Sequence, residues 1–131
     1  MFAKETKILV VDDMATMRML IMQFLSDMGY KDVLEQSDGE KGWTAIRTSV
    51  SSVGLVIMDW NMPKLNGLEL TKRIRAYPKS WNLPILMITT ESESSKVMEA
   101  IVSGVDDYIV KPFTIETLKK KLEAIHKKRT R

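Results

Sequence analysis

The stretch LVIMDWNMP, residues 55–63, opens with four apolar residues, Leu55 to Met58, and breaks off at a carboxylate, Asp59. A short apolar run with so abrupt a polar end reads as a strand. Working outward, the same pattern recurs. Lys7 to Val11 predicts a strand buried on both faces and stops at the pair Asp12-Asp13. Pro84 to Thr89 predicts another, with proline at its first position, where a missing N–H is tolerated. Tyr108 to Val110 is followed by Lys111-Pro112, and Asp32 to Gln36 is a weaker strand.

Between these runs the apolar period lengthens. Met17, Leu20, Ile21, Phe24, Leu25 and Met28 recur at helical spacing, and Gly29 supplies the stop. Glu40 to Thr48 predicts a short helix carrying Trp43 and Ile46. Leu68 to Ala76 predicts a third, with Pro78 beyond its end. Val97, Met98, Ile101 and Val102 mark a fourth, closed by Gly104, and Ile115, Leu118, Leu122 and Ile125 line a fifth. The methionines of the first helix read as core filler. Five strands alternating with five helices, without a composition break or a repeat, predict an α/β fold with one parallel sheet covered on both sides. One domain over residues 1–131 is expected, its core at about 7–128, with no effector domain.

Composition narrows the function classes. A hydrophobic share of 44% and a charged share of 28% are those of an ordinary soluble globule. With no cysteine there is neither a disulfide nor a thiolate metal site. The first apolar run is far too short for a membrane span, so a cytoplasmic protein is expected. The net charge is +3, with Lys119, Lys120, Lys121, Lys127, Lys128, Arg129 and Arg131 crowding the C-terminal end. No aromatics interleave them. A solvated helix face, its cations favoured by the helix dipole, is preferred to a nucleic-acid patch.

Parallel, adjacent strands bring their carboxyl ends to one rim, where open α/β sheets bind ligands. Asp12, Asp13, Asp59, Thr89, Thr90 and Lys111 therefore converge however far apart they lie in sequence. Crowded carboxylates raise one another's pKa values unless a cation relieves them. Mg²⁺ suits a shallow site with few acids and retained waters, and the lone histidine, His126, lies far away in the basic tail. A carboxylate beside such an ion can attack a phosphoryl group, while a lysine and a hydroxyl bind its oxygens. No group is placed for fast turnover of a small substrate, so the chain is expected to be no enzyme beyond promoting its own phosphoryl transfer and loss. Singly, each residue has a duller reading: Asp12-Asp13 as a turn and cap, Asp59 as loop chemistry, Thr89 and Thr90 as caps of the fourth helix.

Together the acidic pair, Asp59, Thr89 and Lys111-Pro112 resemble the receiver domains of response regulators. The resemblance runs from Lys7 to about Lys128. Val11-Asp12-Asp13, Thr16-Met17-Arg18, Asp59-Trp60-Asn61-Met62-Pro63, Asn66-Gly67, Ile88-Thr89 and Lys111-Pro112-Phe113-Thr114 bring it nearest the CheY-like chemotaxis members. It implies a doubly wound sheet of order 2-1-3-4-5 and a cis Lys111-Pro112 bond. Asp59 would accept a phosphoryl group from a CheA-type histidine kinase. Asp13, Asp59 and the Asn61 backbone carbonyl would hold Mg²⁺, with Asp12 acting mainly through water. Thr89 and Lys111 would grip the phosphoryl oxygens, and Tyr108 would be the switch aromatic, unless it is a fixed core residue. The implied partner is the flagellar motor switch protein FliM, met by the fourth helix, fifth strand and fifth helix through Val97, Ile101, Tyr108 and Lys121. A phosphatase is possible, and a monomer without nucleic-acid or membrane partners is expected.

Met14 and Ala15 depart from the usual aromatic-serine pair, and Thr90 stands where a smaller residue is usual. Asn61 and Glu91 match the chemotaxis pattern. A single-domain phosphorelay intermediate or phosphate sink remains an alternative that the site residues do not separate. A flavodoxin-like cofactor binder would need a hydroxyl- or glycine-rich phosphate loop where Asp12-Asp13 stands. An aspartate-nucleophile hydrolase of the dehalogenase type would want an acid-x-acid motif on the first strand and a cap domain.

Overall fold

The computed structural model describes residues 1–49 and 52–130; Arg131 of the basic tail lies outside them. Among the described residues ten elements alternate: β1 (Ile8–Val11), α1 (Ala15–Asp27), β2 (Val33–Gln36), α2 (Gly39–Thr48), β3 (Leu55–Met58), α3 (Gly67–Ala76), β4 (Ile85–Thr89), α4 (Ser94–Ser103), β5 (Asp107–Val110) and α5 (Ile115–Arg129). The five strands form one sheet of order β2-β1-β3-β4-β5, and every pairing is parallel. The doubly wound α/β architecture expected from the sequence is the one observed.

Strand periodicity divides the core in two. Leu9, Val11, Val56, Met58, Ile85 and Met87 point to one face, which α2, α3 and α4 cover through Trp43, Leu70, Ile74, Val97 and Ala100. Ile8, Val10, Leu55, Ile57, Leu86, Ile88 and Ile109 point to the other, which α1 and α5 cover through Ile21, Leu25, Leu118, Leu122 and Ile125. Both faces of β1, β3 and β4 are therefore dry, which explains their unbroken apolar sequences. β2 is an edge strand and exposes Leu34 and Glu35, hence its weaker signal.

Helix starts follow local chemistry. The Asp38 carboxylate caps α2 by accepting from the Lys41 amide, and Asn66 and Glu69 form a reciprocal capping box on α3. The N-cap of α4 is Glu93, so neither Thr89 nor Thr90 serves that helix. One reading of α1 is corrected. Met17, Met22 and Met28 pack against the core, but Met19 is 69% exposed and Leu20 38%. At 100° per residue Met19 falls opposite the Met17–Ile21–Met28 stripe and Leu20 at its margin. In the basic tail, Arg129 is a structural clamp on the Asp106 carboxylate and the Asn82 carbonyl, and Lys121 pairs with Asp107.

Two glycines set the loop that follows β3. A Cβ on Gly67 would collide with the Asp59 carbonyl, and one on Gly39 with the Leu65 carbonyl. The loop thus lies flat between the starts of α2 and α3. Gly67→Ala should lower unfolding free energy by about 1–3 kcal/mol, the usual cost of overpacking. Urea denaturation checks this; a parent-like midpoint would show that the backbone there yields freely.

Candidate functional site

Parallel register places the strand ends side by side. Val11 pairs with Met58, Met58 with Met87, and Thr89 with Val110. The next residues of β1, β3 and β5 are Asp12, Asp59 and Lys111, while Thr89 ends β4. All stand on one rim. Asp12 and Thr89 are almost wholly buried and Asp59 is 8% exposed; Asp13 and Thr90 are open to solvent.

The Lys111 ammonium joins two of these strands. Its Nζ lies 2.9 Å from Asp12 Oδ2 and 2.9 Å from Asp59 Oδ2, with only 7% of the side chain exposed. The lysine backbone is tied to β4, its N–H donating to the Thr89 carbonyl, and the Lys111-Pro112 bond that follows is cis. The remaining carboxylate oxygens meet main-chain donors. Asp12 Oδ1 accepts from the Met14 amide at 2.9 Å and Asp59 Oδ1 from the Trp60 amide at 2.6 Å.

Charge bookkeeping leaves this cluster short of cations. Burial raises the Asp12 pKa above the ordinary aspartate value; the Met14 amide and Lys111 oppose this, and the Asp59 charge adds to it. Burial alone pulls the Lys111 ammonium down, but its bonds to Asp59 and Asp12 and their charges outweigh burial and leave it raised. One lysine therefore serves two carboxylates and stays protonated. Carboxylate oxygens of Asp12, Asp13 and Asp59 lie within 4.8 Å of one another. These three acids would hold a hard divalent cation, which takes oxygen ligands. An open cleft of about 520 Å³ leads to them, lined by Asp13, Met14, Met17, Asp59, Asn61, Thr90, Lys111 and Pro112. A donor can reach the acids from outside.

Glu91 ties the neighbouring loop together. Its carboxylate accepts from Asn61 Nδ2 at 3.3 Å, its carbonyl from the Tyr108 hydroxyl at 2.7 Å, and its amide approaches Thr89 Oγ1 at 3.4 Å. The Tyr108 ring is 7% exposed and packs with the α2–α4 face of the core. Trp60, beside Asp59, lies under the Lys96 ammonium at 5.3 Å, which links the first turn of α4 to the rim.

Residues 8–123 match the response regulator receiver domain. The chain belongs to that family. Within it the receiver is of the CheY-like chemotaxis kind. It is 48% identical over 119 residues to the chemotaxis protein CheY homolog of Campylobacter jejuni, covering 91% of each chain. The structure of chemotaxis response regulator CheY4 of Vibrio cholerae superimposes with a TM-score of 0.83 at 34% identity, over 92% of this chain and 98% of that one. A CheX–CheY–BeF3–Mg²⁺ complex of Borrelia burgdorferi shares the fold, with a TM-score of 0.86 at 21% identity, over 92% and 89% of the two chains.

Asp12, Asp13, Asp59, Thr89 and Lys111, expected at the strand ends, stand together on the rim, and Asn61 lines the cleft beside them, whereas Tyr108 is buried in the core and meets the neighbouring loop through its hydroxyl. Asn61 was expected to act through its backbone carbonyl, and its side chain also reaches Glu91. Two participants carried no assigned role, Arg18 and Glu35. Arg18 lies on α1, and its partners are the Asp12 carbonyl just past β1 and the Glu35 carboxylate on β2.

Burial, aided by the charges of Glu91 and Asp59, pushes the Tyr108 phenol up to about 12. An unfolded tyrosine titrates near 10. Between these values the unfolded chain releases a proton that the folded receiver keeps, so stability falls as pH rises through that window. Tyr108→Phe should flatten the fall, measured by urea unfolding at several alkaline pH values. Equal slopes would mean that the hydroxyl is not sheltered.

Proposed function

We propose that this receiver is a phosphorylation switch whose acceptor is Asp59, working in the cytoplasm. The observation that carries the reading is Lys111 Nζ at 2.9 Å from both Asp12 and Asp59. Such a lysine offsets part of the acids' charge at rest and stands where a phosphoryl oxygen on Asp59 would need a donor. In the proposed step, an Asp59 oxygen attacks phosphorus on a phosphohistidine of a CheA-type kinase. The O–P bond forms, the P–N bond breaks, and its electron pair returns to the imidazole.

Asp13, Asp59 and the Asn61 carbonyl would hold Mg²⁺, with Asp12 reaching it mainly through water. The ion would neutralise charge on the phosphoryl oxygens. Lys111 then turns from the carboxylate pair to one phosphoryl oxygen, and Thr89 swings its hydroxyl towards another. Phosphorylation adds about −1.5 to −2 charge to a rim already rich in acids. States that bring Lys111 and Thr89 onto the phosphoryl group are therefore favoured over the resting one. Glu91, in the loop after β4, contacts both Thr89 and the Tyr108 hydroxyl, so Thr89's movement bears on the hydrogen bond that holds Tyr108 inward. The output face is α4, β5 and α5, where Ile101 and Val110 are exposed, and FliM is the proposed partner. Catalysis is limited to the receiver's own phosphorylation and dephosphorylation, and a phosphatase is a further proposed partner by analogy with the CheX-bound relative.

Trp60 fluorescence should change on adding Mg²⁺ and again on adding acetyl phosphate. Asp59→Asn should keep the fold and lose the second change, and BeF3⁻-treated parent should be retained better than untreated protein on a FliM N-terminal peptide. An undiminished acetyl phosphate response in Asp59→Asn contradicts the assignment of the acceptor. Peptide retention unaffected by BeF3⁻ contradicts the motor role and favours a phosphate sink.

A further inference from the structure

Arg18 does not face the cleft, yet it is bonded to the backbone that carries the acids. Its Nη1 donates to the Asp12 carbonyl at 2.7 Å, and its Nε meets Glu35 Oε1 at 2.7 Å. Only 15% of the arginine side chain is exposed, against 47% for Glu35. The Asp12 carbonyl sits where the β1 ladder ends. The Asp12 N–H still donates to Gln36, and the Val11 carbonyl still accepts from Asp59, but after Gln36 the chain turns away towards α2. Arg18 supplies the next donor from outside the sheet.

Glu35 is placed to hold Arg18 there. It pairs in register with Val10, whose side chain lies on the α1–α5 face, so Glu35 emerges on the side where α1 runs. Arginine is suited to the task because its planar fork can serve a carboxylate and a carbonyl together, which a lysine ammonium does with less directional control.

We infer that Arg18, braced by Glu35, is a positioning residue for the acidic pair: by fixing the Asp12 carbonyl it sets the Asp12–Asp13 peptide plane and so directs the Asp13 carboxylate to the metal-binding triad. The peptide unit is planar, so an anchored oxygen restricts the orientation of the residue that follows. Asp12 is already held through its N–H and both carboxylate oxygens, whereas Asp13 is exposed and owes its direction to the backbone. A half-exposed ion pair contributes little to stability, so Arg18 acts through orientation more than through folding free energy. The inference rests on the Mg²⁺ reading above.

Positioning and simple charge predict opposite signs. Removing a nearby cation strengthens attraction of Mg²⁺ to the acids, whereas a misdirected Asp13 weakens it. Mg²⁺ binding to the full chain, measured by calorimetry, should be about tenfold weaker in Arg18→Met, at the low end for loss of a residue that orients a metal ligand. Arg18→Met with Glu35→Gln leaves the net charge unchanged and should show the same loss, while Arg18→Lys restores part of it. The unfolding midpoint in EDTA should move little in all three. Parent-like or tighter Mg²⁺ binding in folded Arg18→Met overturns the inference, as does a large midpoint loss with unchanged Mg²⁺ affinity. Should Arg18→Met fail to fold, Arg18→Lys decides: a several-fold loss supports positioning and parent-like affinity overturns it. A parent chain that binds no Mg²⁺ instead overturns the metal reading itself.

Discussion

One lysine held between two carboxylates is the contact on which the arrangement of the rim depends. Lys111 reaches across from the end of β5 to acids at the ends of β1 and β3, and all three side chains are nearly dry. An unpaired charge in such a place would cost several kcal/mol, so each member depends on the others. The set is still unbalanced, since Asp12, Asp13 and Asp59 face a single ammonium. Burial first, and the Asp59 charge after it, raise the Asp12 pKa above the ordinary value. An acid whose folded pKa is raised opposes folding once the pH climbs through the ordinary aspartate range near 3.9. A divalent cation held by these acids would offset that opposition and so would couple metal binding to stability.

The sheet makes this contact possible. Parallel strands deliver every carboxyl end to one side, and order 2-1-3-4-5 sets β1 beside β3 at the centre. Acids that are 47 positions apart in sequence become neighbours through the register Val11 to Met58. The dry faces below leave the strands little freedom, so the rim side chains are aimed from rigid supports. The loops above carry a second set of contacts, in which Glu91 joins Asn61, Thr89 and Tyr108 at 2.7 to 3.4 Å.

Much of this was legible in the residues. Apolar runs that stop at Asp12, Asp59 and Lys111 announced both the strands and the rim, because a buried parallel strand cannot hide its polar end. The strand order was not legible from periodicity and came through resemblance to the receiver family. The orientation of α1 was read only in part, since Met19 and Leu20 are apolar yet lie outside the buried stripe. Arg18 and Glu35 escaped because a side chain that bonds a strand-end carbonyl has no spacing rule to mark it. The demands of Gly39 and Gly67 were equally silent, as they arise from close approach of loops distant in sequence.

The assignment of Asp59 among three clustered acids is tested most directly by locating the acyl phosphate. Protein treated with acetyl phosphate and Mg²⁺ can be reduced with borohydride, which converts a phosphorylated aspartate to homoserine, and then mapped by peptide mass spectrometry. The account predicts homoserine at position 59 alone, and none when Mg²⁺ is withheld. Homoserine at position 12 or 13, or labelling that ignores the metal, would contradict it.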